Sequence, residues 1–235
     1  MKTILCCDWG TTSFRLRLVD QDTYAVQAEF LSSTGVAATF REWKEQSEIN
    51  RFDFYSERLK SSISELARKS TVNTDNIPVI VSGMASSSIG MEEIPYAELP
   101  FRINGSQASV RVFDDYNGSG APLIIVSGVK SNVDVMRGEE AQLIGLVQLN
   151  QVKLEDNEEY VFVFPGTHSK HISVKGGVVP DFKTFMTGEL FNIVSEHSIL
   201  KDSVVLDNSI KLSDPAAKEA FVYGVENSAN SSVLH

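Results

Sequence analysis

The sequence predicts an α/β fold built from two similar units. In residues 3–20 an apolar run meets a Gly10-Thr11 turn, and a second run of alternating apolar residues leads away from it. Residues 159–174 repeat this pattern around Gly166 and Thr167, 156 positions later. Each repeat is followed along the chain by a pattern typical of an amphipathic helix. Strands that alternate with helices in this way indicate an α/β fold.

The first unit begins with strands that turn at short polar segments. The expected strands cover residues 3–7, 14–19, 24–31, 78–82, 108–113 and 122–127. A helix over residues 53–69 follows from apolar side chains at helical spacing, among them Phe54, Leu59 and Ile63. Loops are expected at residues 32–36 and at residues 86–100, where two prolines interrupt any periodicity.

The second unit repeats the order of strands and helix. A hairpin surrounds Gly166, and Gly176-Gly177 turns the chain into a return strand. Helices are expected over residues 139–149, 187–200 and 216–225. We place the boundary between two domains at residues 135 and 136, so that the domains cover residues 1–135 and 136–235.

The charge and amino-acid composition limit the kinds of molecule that the protein is expected to bind. The formal net charge of −10 argues against nucleic acid or an anionic membrane as a partner, because both favour a basic face. The adjacent Cys6 and Cys7 favour free thiols in a reducing compartment. No apolar run reaches the roughly 18 residues of a membrane span. We expect a cytoplasmic protein that acts on small molecules and that could form a homo-oligomer.

The first Gly-Thr turn is the sharpest candidate site. Asp8 stands at its mouth, where a carboxylate could hold Mg²⁺ directly or through water. Gly10 permits close approach of the backbone, and the hydroxyls of Thr11 and Thr12 could donate to phosphate oxygens. Arg15 could reach the transferred group or an acid substrate. The alternative is an ordinary hairpin turn without a ligand.

The second Gly-Thr turn strengthens the prediction of a phosphate-binding site. Gly166 and Thr167 could contact phosphate as Gly10 and Thr11 do, and Lys170 could neutralise its charge. Two such turns that face each other could hold the two ends of a triphosphate.

Two adjacent carboxylates open the predicted helix after Gly138. Glu139 or Glu140 could accept the proton of a hydroxyl that attacks a phosphate. Neighbouring helical residues point about 100° apart, so only one of the two is expected to face the site. The alternative is that both carboxylates only stabilise the helix N-terminus.

The remaining candidates concern the substrate. Residues 82–90 are rich in small hydroxyl side chains and include Gly83, Met84 and Ser86, which suits hydrogen bonding to a polyol. The alternative is a plain surface loop. Arg15, Arg137 and Lys170 each could face a substrate carboxylate, and the sequence does not choose among them.

These segments together resemble the 2-dehydro-3-deoxygalactonokinase family, sugar-acid kinases of the actin, hexokinase and Hsp70 ATPase superfamily. The resemblance is carried by residues 8–12, 82–84, 135–145, 164–170 and 186–190. The stretches Met-Arg-Gly-Glu-Glu and Pro-Gly-Thr-His-Ser-Lys are specific to the family, whereas Asp-x-Gly-Thr-Thr marks only the superfamily.

The resemblance implies duplicated ribonuclease H-like domains of the actin-like ATPase kind, with mixed sheets and an incomplete second domain. It implies ATP- and Mg²⁺-dependent phosphorylation of 2-dehydro-3-deoxy-D-galactonate at its terminal hydroxyl, in galactonate catabolism. The residues that match the first phosphate motif are Asp8, Gly10 and Thr11, and those that match the second are Gly166 and Thr167. By analogy with wider sugar kinases, Glu139 would be the base, with Glu140 as its rival.

The resemblance also implies that family members continue several dozen residues further than this chain. This difference leaves open an alternative from another class. The chain could be a non-catalytic protein that binds or senses a sugar acid without the nucleotide half.

Overall fold

We describe the fold from a computed structural model, which covers residues 2–46, 48–70, 72–116, 118, 120–155, 158–204, 207 and 209–228. The strands are β1 (Thr3–Trp9), β2 (Phe14–Asp20), β3 (Val26–Ser32), β4 (Val79–Gly83), β5 (Ala97–Glu98), β6 (Phe101–Arg102), β7 (Val110–Phe113), β8 (Leu123–Val126), β9 (Val129–Lys130), β10 (Val135–Met136), β11 (Glu159–Phe164), β12 (Ser169–Lys175) and β13 (Val178–Phe185). The α-helices are α1 (Val36–Glu45), α2 (Arg51–Ser70), α3 (Glu139–Gln148), α4 (Thr187–His197) and α5 (Pro215–Ser228). The fold is therefore mixed α/β, as predicted.

The larger sheet has six strands in the order β3-β2-β1-β4-β8-β7. The strand β1 runs antiparallel to β2 and parallel to β4, so the sheet is mixed. Alternate side chains of β1, including Leu5 and Trp9, are buried because successive strand residues point to opposite faces. They share one hydrophobic core with Leu59 and Leu66 of α2.

A second core surrounds the sheet β11-β12-β13-β6. Ile172 and Val174 of β12 are fully buried in it, as is Val179 of β13. Phe101 of β6 joins this core from a distant part of the sequence, because β6 pairs with β13. The strands β10, β9 and β5 form a third, smaller sheet in that order.

The fold contains one helix and several short strands that we did not predict. The segment after Gly35 forms the helix α1, for which we predicted no helix. The apolar residues Val36, Phe40 and Trp43 stand at helical spacing in α1, so a signal was present, but the helix has only ten residues and begins within the segment that we predicted as a loop. The predicted loop of residues 86–100 contains β5, and a strand of two residues is too short to show alternation.

The chain divides into two compact units, residues 1–186 and residues 187–235. The first unit holds both cores and every predicted site residue. In the second unit, the helices α4 and α5 lie where helices were predicted. The domain boundary that we placed at residues 135 and 136 stays a prediction. No helix in the described ranges is long and apolar enough to cross a membrane.

Candidate active site

Both Gly-Thr segments form hairpins, as predicted. In the first, Trp9 pairs with Phe14, and the Gly10 N–H donates to the Ser13 carbonyl at 2.8 Å. In the second, Phe164 pairs with Lys170 across the turn. Each turn therefore connects two strands whose register is fixed by their side-chain pattern.

The N-terminus of the helix α1 is hydrogen-bonded to the backbone of the first turn. Its first two N–H groups, those of Val36 and Ala37, donate to the carbonyls of Gly10 and Thr11 at 2.9 and 3.1 Å. A Cβ on Gly35 would lie only 2.4 Å from the Thr11 carbonyl oxygen, so the helix and the turn pack backbone to backbone. We did not predict this support, because it depends on the helix α1, which we did not predict.

Both turns leave backbone donors available to a ligand. Within the described residues, the N–H groups of Thr11, Thr12, Gly166 and Thr167 donate to no protein acceptor. A Cβ on Gly166 would meet only the His168 carbonyl oxygen, at 3.8 Å, so packing does not require glycine there. Free N–H groups at a glycine turn are suited to binding an anion.

One cleft brings residues of the two hairpins together. It has a volume of about 690 Å³. Its lining includes, from our predicted site, Gly10, Thr11, Met84, Arg137, Glu139 and Lys170. The residues that our predictions missed in this lining include Glu93, Tyr96 and His168. Tyr96 follows a proline in a segment predicted as loop, and nothing in the sequence marked it; His168 stood inside the second motif.

A separate cavity of about 480 Å³ contains Asp8 and Arg15. The two form an ion pair, with Arg15 Nη1 2.8 Å from Asp8 Oδ2. Gly83 brings the end of β4 close to this carboxylate. Its φ is +86°, and a Cβ there would lie 2.8 Å from the Trp9 carbonyl oxygen and 3.3 Å from Asp8 Oδ1.

Glu140 is turned into the protein. It is 2% exposed, and both its carboxylate oxygens accept the Gly138 N–H at 2.9 Å. Burial raises the pKa of Glu140 to about 7, and the nearby Glu139 adds to this shift while the Gly138 N–H opposes it. The geometry is that of a carboxylate capping its own helix, where Gly138 adopts a φ of +108°.

Glu139, in contrast, lines the cleft and is half-buried. Its Oε2 accepts the Arg137 backbone N–H at 3.0 Å. Burial raises the pKa of Glu139 above its ordinary value, whereas the positive charge of Lys170 and the Arg137 N–H oppose that shift. The structure therefore separates the two adjacent carboxylates into one that faces the cleft and one that caps the helix.

Arg137 and Lys170 are held in different ways. Arg137 Nε donates to the Tyr96 hydroxyl and its Nη1 donates to Ser86 Oγ, both at 2.9 Å. The ammonium group of Lys170 donates to the Val135 carbonyl at 2.5 Å and to the Thr184 hydroxyl. Lys170 Nζ also lies 3.7 Å from a carboxylate oxygen of Asp134, and the side chain is almost fully buried.

Asp8 could contribute to a metal site only together with other groups. Among the described residues, no cluster of three or more His, Cys, Asp or Glu side chains could hold a metal ion. Mg²⁺ that is bound with a nucleotide needs only one or two carboxylates, since phosphates and water complete its octahedron. A single carboxylate beside a phosphate-binding turn fits that requirement.

Comparison with known proteins agrees with these features. The family model described as 2-keto-3-deoxy-galactonokinase matches residues 8–235. A protein of Rhizobium meliloti described as a 2-dehydro-3-deoxygalactonokinase is 30% identical over 226 residues, which are 94% of this chain and 66% of that protein. The 2-dehydro-3-deoxygalactonokinase of Escherichia coli is 26% identical over 235 residues, 98% of this chain and 67% of that protein.

A crystal structure of a protein from Sinorhizobium meliloti, described as a 2-dehydro-3-deoxygalactonokinase, has a TM-score of 0.71 and 28% identity. That match covers 96% of this chain and 68% of the other. This chain thus spans about two thirds of the length of the relatives that it matches. Because the family model matches nearly every residue, the chain belongs to the 2-keto-3-deoxy-galactonokinase family.

Proposed function

We propose that this protein is a sugar-acid kinase that transfers the γ-phosphoryl group of ATP to the terminal hydroxyl of 2-dehydro-3-deoxy-D-galactonate. One observation carries the proposal: residues of two glycine-turn hairpins line a single cleft together with the carboxylate of Glu139. Family membership supports the choice of substrate, since both relatives are described as kinases of this sugar acid.

The two turns would bind the phosphates. The N–H groups of Thr11, Thr12, Gly166 and Thr167 lack protein acceptors in the described ranges, so they are available to phosphate oxygens. Donors that are already oriented by the hairpins need no reorganisation when negative charge develops during transfer. The support of the first turn by α1 holds its donors in place.

Glu139 would accept the proton of the attacking hydroxyl. Its carboxylate faces the cleft, and its raised pKa brings it closer to neutral pH, which favours proton transfer to it. Glu140 would act through the helix that it caps, because its carboxylate is buried against Gly138. Gly83, Met84 and Ser86 would lie on the side of the sugar acid.

Asp8 would hold Mg²⁺, with the nucleotide phosphates supplying further ligands. The chemistry that Mg²⁺ supplies there is neutralisation of charge on the phosphate oxygens. Arg15 shares the Asp8 carboxylate at 2.8 Å and would orient it toward the metal. Lys170 would add positive charge from the side of the second hairpin.

An assay of ADP release tests the proposal. The protein would be given Mg·ATP and, one at a time, a panel of 2-keto-3-deoxy sugar acids and the corresponding neutral sugars. We expect ADP release that depends on the acid and is fastest with 2-dehydro-3-deoxy-D-galactonate. Acid-independent ATP hydrolysis, or the absence of ADP release with every acid although Mg·ATP and acid both bind, would contradict the kinase proposal.

A further inference from the structure

Three cationic side chains are candidates for the acid group of the substrate, and the structure distinguishes them by their partners. Arg15 pairs with Asp8 at 2.8 Å and lies in the separate cavity that contains Asp8. A cation that already has an anionic partner gains less electrostatic stabilisation from binding a second anion. Arg15 is therefore better suited to orienting Asp8 than to recognising a carboxylate in the cleft.

Lys170 lines the cleft, but its ammonium group is already used. It donates to the Val135 carbonyl and the Thr184 hydroxyl, and the carboxylate of Asp134 lies 3.7 Å away. An ammonium group has three donors, so these neighbours leave little capacity for a ligand. These contacts connect β10 to β12 and β13, so Lys170 has a structural role. Its positive charge still contributes to the electrostatic potential of the cleft.

Arg137 differs from both because its partners are neutral. Its Nε donates to the Tyr96 hydroxyl and its Nη1 to Ser86 Oγ, each at 2.9 Å. These bonds use two of the five N–H donors of a guanidinium group. Among the described residues, no carboxylate lies within ion-pair distance of Arg137. The side chain is half-buried and lines the cleft.

Burial of a charge is costly unless an opposite charge accompanies it. The cleft therefore presents a guanidinium group whose position is fixed and which, among the described residues, has no carboxylate within ion-pair distance, although the Glu140 carboxylate interacts with it electrostatically at longer range. The Tyr96 ring strengthens this fixation, since its centroid lies 4.2 Å from the guanidinium carbon. A planar guanidinium with free N–H groups matches a carboxylate by two parallel hydrogen bonds.

We infer that Arg137 binds the carboxylate of the sugar acid, and that Tyr96 and Ser86 are positioning residues that hold its guanidinium group in the cleft. The inference rests on the proposed function for the identity of the acid. It extends that proposal by naming the side chain that separates a sugar acid from a neutral sugar. Glu139, the first residue of α3, lies two positions further along the chain, so one short segment would carry both the proposed base and the group that fixes the far end of the substrate.

The test is calorimetric titration of the protein with 2-dehydro-3-deoxy-D-galactonate and with its neutral amide, in the absence of nucleotide. For Arg137→Gln we expect about 30-fold weaker binding of the acid, the loss of about 2 kcal/mol of charged hydrogen bonding. We expect the wild type to bind the amide more weakly than the acid, and the substitution to leave the affinity for the amide unchanged. The affinity of Arg137→Lys for the acid should lie between those of the wild type and Arg137→Gln, because lysine keeps the charge but lacks the planar guanidinium group.

The positioning role has its own readout. Tyr96→Phe retains the ring but removes the hydroxyl, and should weaken acid binding about 3- to 10-fold, a typical effect of one lost hydrogen bond. The same substitution should have no further effect in an Arg137→Gln background. Arg58→Gln, which changes an exposed arginine paired with Glu42 on the helix surface, is the matched control and should bind the acid as the wild type does.

Several outcomes would overturn the inference. Acid binding by Arg137→Gln at wild-type strength would do so, as would an equal loss of acid and amide binding, which would mean that Arg137 only shapes the cleft. Failure of the wild type to bind any acid of the panel would do so as well. Binding that depends on Arg137 without ADP release would contradict the kinase proposal and leave the inference intact. Thermal unfolding midpoints confirm that each variant is folded.

Discussion

At the scale of single residues, two adjacent carboxylates have acquired different environments. The sequence predicted that only one would face the site, because neighbouring helical residues point in different directions. It could not identify which one. The choice depends on the conformation of Gly138, whose N–H turns toward Glu140 and leaves Glu139 at the cleft.

Glu139→Gln tests the proposed base. We expect kcat to fall by about 10²- to 10⁴-fold, the usual contribution of a general base. In the wild type, kcat should decrease as the pH falls through the raised pKa of Glu139, because the base must be ionised. The measurement is kcat against pH at saturating substrates. If Glu140→Gln abolished the decrease of kcat at low pH and Glu139→Gln retained that decrease, the base would be Glu140.

Glu140 should make stability depend on pH. Its pKa is about 7 in the folded protein and 4.5 ordinarily, so the folded state binds the proton more tightly. The free energy of unfolding is then highest below about pH 4.5 and falls as the pH rises to about 7, by roughly 1–3 kcal/mol. Glu140→Gln should remove this decrease and stabilise the protein at pH 8.

Urea unfolding of the wild type and Glu140→Gln at pH 5 and pH 8 measures the effect. Glu48→Gln is the control, since that side chain is exposed. The same pH dependence in wild type and Glu140→Gln would show that Glu140 does not cause it.

At the scale of elements, what the sequence could predict depended on length and periodicity. The hairpins β1–β2 and β11–β12 were predictable because long alternating strands flank each turn. The helix α1 was missed although Val36, Phe40 and Trp43 stand at helical spacing, because it has only ten residues and begins in the segment that we predicted as a loop. The strand β5 has two residues, which are too few to show alternation. Tyr96 escaped prediction for the same reason, since it lies in that irregular segment.

The contact between α1 and the first turn makes Gly35 a sensitive position. A Cβ at Gly35 would lie 2.4 Å from the Thr11 carbonyl oxygen, and backbone on both sides leaves no easy relief. We expect Gly35→Ala to cost about 1–3 kcal/mol, as overpacking does, and to weaken Mg·ATP binding by displacing the turn. Urea unfolding and nucleotide titration measure the two effects.

Gly145→Ala is the matched control for that substitution. It lies within α3, and a Cβ there would meet nothing within 4 Å. Replacement of glycine by alanine inside a helix should stabilise the protein by about 0.5–1 kcal/mol. Wild-type stability and nucleotide affinity in Gly35→Ala would contradict the proposed support of the turn by α1.

At the scale of the whole molecule, the net charge of −10 and the proposed anionic substrates are compatible. Exposed charges are screened beyond about 8 Å at physiological ionic strength, so a ligand in the cleft responds mainly to the groups that line it. Those groups include the cations Arg137 and Lys170 as well as the carboxylates of Glu93 and Glu139. The sequence correctly predicted the class of fold, but the convergence of residues 84–96 on the same cleft depends on long-range pairing that no local pattern encodes.

The second core provides a test of how the first compact unit is held together. Phe101, from β6, is 1% exposed and packs with residues of β12 and β13 that follow it by about 70 positions in the sequence. We expect Phe101→Ala to lower the free energy of unfolding by about 3–5 kcal/mol. Hydrogen exchange should accelerate at Ile172 and Val174, since both belong to the same core.

Val133→Ala is the control for Phe101→Ala, because Val133 is 95% exposed and its truncation should change stability by less than about 0.5 kcal/mol. If Phe101→Ala left exchange at Ile172 and Val174 unchanged, residues 136–186 would hold their core without β6. A boundary at residues 135 and 136 would then describe independent folding units. Faster exchange would instead mean that residues on both sides of that boundary form one cooperative core, which positions Lys170 and the second hairpin at the cleft.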